Sequence, residues 1–274
     1  MASLARLSLN LATTRLRWGA IEAIEGAARA GLRAVAPWRD LVAKDGLEAT
    51  AKAIRDNGLG VSSLCRGGMF AAADAAGRQA AIDDNRRAVD EATALGARSL
   101  VLVVGGLAQG SKDIAGARAM VADGLAAVLP HARAAAIPLA IEPLHPMYAA
   151  DRACINTLAQ ALDLCDSLGE GVGVVVDVYH LWWDPDLEAR IERAGKRRLL
   201  GFHVSDWLVP TTDLLLDRGM IGDGVIDIPR IRGWMEAAGY DGAIEIEIFS
   251  AENWWKRDPD EVVAICKERF ETAV

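Results

Sequence analysis

Short apolar runs alternate with longer amphipathic stretches along this chain, about eight times from end to end. The runs are Arg6–Leu11, Arg33–Pro37, Gly60–Cys65, Ser99–Val104, Pro138–Glu142, Gly173–Asp177, Leu200–Val204 and Ala243–Ile248, each of strand length. Between them lie helical patterns over Ile21–Ala30, Gly46–Asn57, Arg78–Leu95, Ile114–Ala135, Asn156–Leu168, Asp186–Ala194, Pro229–Ala238 and Pro259–Ala273. Glycines follow six of these helices, where a left-handed C-cap suits them, and Pro229 and Pro259 stand at helix starts, where a missing N–H costs little. No Ser/Pro-rich linker or charge block divides the chain. Eight βα units of this length predict an α/β fold, a (β/α)8 TIM barrel, in one domain over residues 1–274. An open doubly wound sheet is the alternative, but it needs a glycine-rich phosphate turn after the first strand, and Asn10–Arg15 has none.

In a barrel, function sits on the loops after the C-terminal ends of the strands. The last four runs end in chemistry there: IPLAIEPLH with Glu142 and His145, VGVVVDVYH with Asp177 and His180, LLGFHVSD with His203, and AIEIEIF with Glu245 and Glu247. One polar residue at a strand end is an ordinary cap. Four in a row, each preceded by an apolar run, form a set, and carboxylate oxygens plus an imidazole suit a hard or borderline divalent cation. Period-2 alternation puts Glu245 and Glu247 on one face, so either could be the fourth ligand. Glu247 lies nearer the barrel mouth, and Glu245 is expected lower down as an acceptor for a basic group.

Composition narrows the partners. A net charge of −8 argues against a nucleic-acid backbone, which is held by clustered Lys and Arg. No segment has the length of a membrane span, and the N-terminus lacks a signal-peptide core. Four scattered cysteines without a CxxC pair fit a reducing, cytoplasmic setting.

The segments IEP, VVVDVYH, FHVSD, MIGDGVIDIPRI and GYDGAIEIEIF resemble the sugar-phosphate isomerase/epimerase family with the xylose-isomerase-like TIM barrel, strongly from about Pro138 to Phe270. That family includes ketose 3-epimerases, hydroxypyruvate isomerases, inosose-processing enzymes and catalytic subunits of C-glycoside deglycosidases. The resemblance implies that Glu142, Asp177, His203 and Glu247 ligate one divalent ion, Mn²⁺ by first choice, with Mg²⁺, Co²⁺ or Zn²⁺ as alternatives. It implies that His180 touches substrate and, more loosely, that Arg218 does so. A DNA-repair nuclease with three zinc ions shares this barrel but needs histidines on early strands. Here those strands end in PWRD and CRGG, and His131 lies in a helix.

The expected reaction is isomerisation or epimerisation of a sugar or keto-sugar through an enediolate, since a chelated cation polarises the carbonyl and acidifies the neighbouring C–H. Glu142 and Glu247 are the bases that the resemblance implies. His145, three residues after Glu142, is a second candidate, because a neutral imidazole shuttles protons well near pH 7. Its alternative is to cap the loop between Pro143 and Pro146. A lyase acting on 3-oxo-C-glycosides would use the same site, with a small β-rich partner subunit. A vestigial, sugar-binding protein is the third reading. Loop tryptophans, Trp38 and Trp183 among them, suit the C–H faces of a sugar or equally a sealed rim or subunit contact. Arg39, Arg66, Lys256 and Arg257 could reach a phosphate or carboxylate, and Arg66 is carried forward as a substrate-binding residue. Without a glycine-rich cradle, an unphosphorylated sugar is favoured. The partners are thus a small carbohydrate and a second copy of the chain in a homo-oligomer, or the β-rich subunit.

Overall fold

A computed structural model describes residues 3–274. Its strands in chain order are β1 (Leu7–Asn10), β2 (Ala34–Ala36), β3 (Gly60–Val61), β4 (Leu64–Gly68), β5 (Leu100–Val103), β6 (Leu139–Ile141), β7 (Val172–Asp177), β8 (Leu199–Val204), β9 (Asp206–Trp207), β10 (Arg218–Gly219) and β11 (Ile244–Ile246). Nine of them form one parallel sheet in the order β3-β2-β1-β11-β8-β7-β6-β5-β4. Strands β3 and β4 are the two halves of the third barrel strand, separated by Ser62 and Ser63. The first half pairs with β2 and the second with β5, and a Trp38–Cys65 bridge joins the two edges. The protein is a TIM barrel.

Alternation along each strand sorts the side chains. Leu100 and Leu102, Leu139 and Ile141, and Val174 and Val176 join the large core between strands and helices. The residues between them, Val101, Ala140 and Val175, meet Cys65 inside the barrel. Counting in twos up the inner face from Ala140 and Val175 leads to Glu142 and Asp177. Register does the rest: Asp177 pairs with His203, and His203 pairs with Glu245. The fold itself therefore brings the polar strand ends together.

The eight expected strands and eight expected helices are all present, their ends displaced by at most four residues. Short elements are additional, among them a one-turn helix over Val178–Leu181. A helix over Arg39–Asp45 follows β2 at once, and β9 and β10 pair as an antiparallel ribbon above the barrel. All are too short for a periodicity to show.

The bend after β4 depends on a buried clamp. Gly68 has φ +110°, and a Cβ there would lie 1.9 Å from the Val103 carbonyl oxygen. The Asn85 side chain accepts from the Gly68 N–H at 2.6 Å and donates to its carbonyl at 2.7 Å. Asn85→Ala would strand both backbone groups, and we expect a loss of about 2–4 kcal/mol in urea unfolding. The neighbouring exposed change Arg87→Ala should stay within about 0.5 kcal/mol.

Candidate metal centre

Glu142, Asp177, His203 and Glu247 each offer one ligand atom, and these atoms all lie within 4.8 Å of one another. All four residues are buried, Asp177 and His203 completely. Nδ1 of His203 is 3.0 Å from Glu142 Oε1 and 3.7 Å from Glu247 Oε2. Neither His203 nitrogen meets its carboxylate neighbour along a hydrogen-bond direction, and Glu142 Oε1 is likewise without a donor. Buried polar atoms are normally paired. Glu142 Oε1 and His203 Nδ1, both without a hydrogen-bond partner, face each other among carboxylates in excess, a set that fits a divalent cation.

Glu245 sits behind this group. Its Oε2 lies 3.1 Å from His203 Nε2 and accepts from Asn10 Nδ2 at 3.1 Å. A carboxylate on the far nitrogen of a ligating histidine fixes the ring and raises its basicity. The lower position expected for Glu245 is the one it occupies. Asn10, absent from the expected residues, is a hub: its Nδ2 also donates to Glu247 Oε1 at 3.1 Å, and its Oδ1 accepts from Trp38 Nε1 at 2.6 Å. A polar residue closing the first apolar run was the only signal for it.

Arg218 supplies the positive charge. Its NH1 donates to Asp177 Oδ2 at 3.0 Å and to Glu247 Oε2 at 3.1 Å. The guanidinium lies over the rings of Tyr179 and Phe249, 4.5 and 5.1 Å from their centroids. Its strand β10 is held by β9, beside Asp206, whose buried carboxylate accepts from the N–H groups of Trp207, Gly222, Gly224 and Ile226. Arg218 NH2 faces His180 Nε2 at 3.0 Å. Since a guanidinium only donates, that nitrogen accepts, and His180 is neutral with its proton on Nδ1. Burial and Arg218 both hold the His180 pKa well below the usual imidazole value.

The carboxylates divide by environment. Burial raises Glu142 to about 7 against the pull of His203, and burial raises Asp177 despite Arg218. For Glu247, burial pushes up but His203 and Arg218 outweigh it, and the net direction is down. For Glu245, His203 likewise outweighs burial.

A cavity of about 600 Å³ opens onto this cluster, and of the four grouped residues only Glu142 and Glu247 line it. Trp38, Arg66, His180 and Arg218 line it as well, and so do Arg15, Tyr148 and Arg152, which the sequence did not single out.

His145 and Trp183 are not among the lining residues. His145 Nδ1 accepts from Met147 N–H at 3.3 Å, capping the turn Pro146–Tyr148, and its ring stacks on Trp207 at 5.3 Å. Trp183 Nε1 donates to the His180 carbonyl at 2.8 Å and its ring meets His145 edge-on. Trp255 is buried and donates to the Ala12 carbonyl. Only Trp38 of the eight tryptophans faces the cavity, so the others pack the rim and the periphery.

Eight βα units with carboxylates and an imidazole gathered at the C-terminal mouth place the chain among α/β barrels with a candidate metal site. The chain belongs to the family described as xylose isomerase-like TIM barrel, whose model matches residues 24–265. The match reaches well before Pro138, where the motifs begin. Protein SMc04130 from Sinorhizobium meliloti 1021 superposes with a TM-score of 0.97, at 62% identity over 99% of both chains. The IolI protein, solved with a bound zinc atom, superposes with a TM-score of 0.83 at 18% identity over 96% of both chains. An inosose isomerase of Halalkalibacterium halodurans is 23% identical over 117 residues, 42% of this chain and 41% of that protein. That match thus spans less than half of the curated relative's length.

With the ring half-buried against Trp207, burial lowers the His145 pKa, and the imidazole is neutral at pH 7. His145→Ala should keep turnover within about threefold of wild type and leave the shape of the pH–rate profile unchanged. A proton shuttle would instead lose about 10²–10⁴-fold, which steady-state rates across pH 5–9 would detect.

Proposed function

We propose that the protein is a divalent-metal-dependent isomerase or epimerase of a sugar or keto-sugar, with Glu142, Asp177, His203 and Glu247 as ligands. One observation carries the reading: of four buried groups converging within 4.8 Å, two carboxylates also face a cavity of sugar size. The matched family and the inosose isomerase name support the substrate class, and the zinc in IolI supports a cation in such a barrel. Mn²⁺ remains the first choice for a site rich in oxygen ligands, with Mg²⁺, Co²⁺ or Zn²⁺ as alternatives.

A cation held there would polarise a substrate carbonyl and offset the negative charge of the enediolate. The remaining work falls to side chains. Asp177 and His203 have no exposed surface, so they hold and do not react. Glu142 and Glu247 reach the cavity and are the proton-transfer pair. Glu247 is fixed in its anionic form by Asn10 and Arg218, which suits the base that removes a proton. Glu142, with one oxygen free of donors, suits the group that returns it. His180 and Arg218 line the cavity wall, where a neutral imidazole and a fixed cation can hold the hydroxyls beside the reacting carbon. Trp38 offers a flat face for a sugar ring, itself steadied edge-on by Phe249.

A lyase acting on 3-oxo-C-glycosides would use the same metal group, and His145, outside the cavity lining, adds nothing that favours cleavage over isomerisation.

Metal content and solvent exchange test the proposal together. Asp177→Ala should lose bound Mn²⁺, measured by elemental analysis, and all activity. Glu247→Gln should lower turnover by at least about 10²-fold and slow deuterium uptake from D₂O into the carbon beside the substrate carbonyl. Full Mn²⁺ occupancy in Asp177→Ala would remove the ligand assignment. An active enzyme without exchange or internal transfer of that hydrogen would remove the enediolate.

A further inference from the structure

Four basic side chains outside the metal group were candidates to hold an anion, and three of them are already engaged. Arg39 is bound by Glu91 at 2.6 Å and Asp84 at 2.9 Å. Lys256 is bound by Glu252 at 2.5 Å, and Arg257 by Asn253 at 3.0 Å while it covers the Trp254 ring. Arg66 makes no side-chain hydrogen bond or ion pair among the described residues, yet it lines the cavity.

Its placement is built into the chain. In the β4–β5 ladder Cys65 pairs with Val101 and Gly67 with Leu102, so Arg66 is the extra residue of a bulge. Bulges re-aim a side chain and recur beside active sites. Asn85 clamps Gly68 immediately beyond, and a Cβ at Gly67 would meet Asn85 Oδ1 at 2.5 Å. The neighbour that Arg66 feels most is another cation, Arg152, which also lines the cavity. The nearest acid to Arg152 is the adjacent Asp151, 3.7 Å away and outside the cavity lining. The acids that do line the cavity are committed: Asp40 to Arg15, Asp84 to Arg39, Glu247 to Arg218, and Glu142 to the metal group. Burial and Arg152 together disfavour the Arg66 charge, and a guanidinium cannot shed it. Two like charges lining one cavity, neither paired to an acid that lines it, call for an anion between them.

We propose that Arg66 and Arg152 form an anion subsite, so that the substrate is a carbonyl sugar bearing a carboxylate or a phosphate. This rests on the cavity being the substrate site of the proposed isomerase. It departs from the neutral sugar that the lack of a glycine-rich cradle favours, because side-chain guanidinium groups can hold such an anion without one.

Calorimetric titration of the Mn²⁺-loaded protein with D-fructose, D-fructuronate and D-fructose 6-phosphate tests it. At least one anionic probe should bind about tenfold or more tightly than D-fructose, and added salt should shrink the difference. Whichever anion leads identifies carboxylate or phosphate as the recognised group. Arg66→Gln/Arg152→Gln should abolish the preference. Arg152→Gln alone, away from the bulge, should reduce it without endangering the strand. Failure of both anions to outbind D-fructose, absence of any binding, or a preference that survives the double substitution would overturn the subsite. Mn²⁺ stoichiometry is measured on the same samples. A wild-type protein that takes no metal but retains arginine-dependent anion binding would sink the isomerase reading and leave the subsite standing.

Discussion

Four carboxylates buried at one end of a barrel, with a single guanidinium among them, set the constraint that the site's architecture answers. Two unit charges about 4 Å apart interact by about 4 kcal/mol at a surface-like effective dielectric, so the cluster cannot simply be left to repel itself. The chain answers by sorting the groups. Glu245 is turned down against the far side of His203, Asn10 donates to Glu245 and Glu247 at once, and Arg218 bridges Asp177 to Glu247 from above. The ribbon of β9 and β10, the four N–H groups on Asp206 and the aromatic faces of Tyr179 and Phe249 all serve to keep that one guanidinium in place. The grouped ligand atoms of Glu142, Asp177, His203 and Glu247 form a candidate site for a divalent cation that would balance the rest.

The barrel divides its labour by strand. Glu142, Asp177, His203 and Glu247 lie at or just beyond the upper ends of β6, β7, β8 and β11, so the grouped ligand atoms come from one side of the ring. Arg15, Trp38 and Arg66 come from β1, β2, β4 and the turns after them, and they carry no group fit for proton transfer. The division is partial: Asn10 on β1 donates to Glu245 and Glu247, and Arg152, His180 and Arg218 reach the cavity from later in the chain.

Most of the barrel was readable because it rests on periodicity. A residue two positions beyond a buried inner-face residue must also face inward, so Glu142 and Asp177 could be placed from their runs alone. The same parity put Glu245 beneath Glu247. Features that depend on spatial neighbours were not readable. Nothing in EPLHP says that His145 turns away to stack on Trp207, because the turn is set by a tryptophan sixty-two residues later in the chain. Nothing in CRGG shows a bulge, because a bulge is a mismatch between two strands and needs both of them. The arginines looked alike in sequence, and only their carboxylate partners separated the occupied Arg39 from the solitary Arg66.

The interruption at Ser62 and Ser63 gives the ring a property that an unbroken barrel would lack. Each half of the third strand has a ladder on one flank and a single bridge on the other, Val61 to Ala97 at the lower end and Cys65 to Trp38 at the upper. Trp38 stands on one edge and Arg66 on the other, both facing the cavity. A molecule that touches both side chains is therefore a staple across the split. Part of its binding energy goes into holding the circle shut, and ligand affinity and barrel integrity become two readings of the same seam.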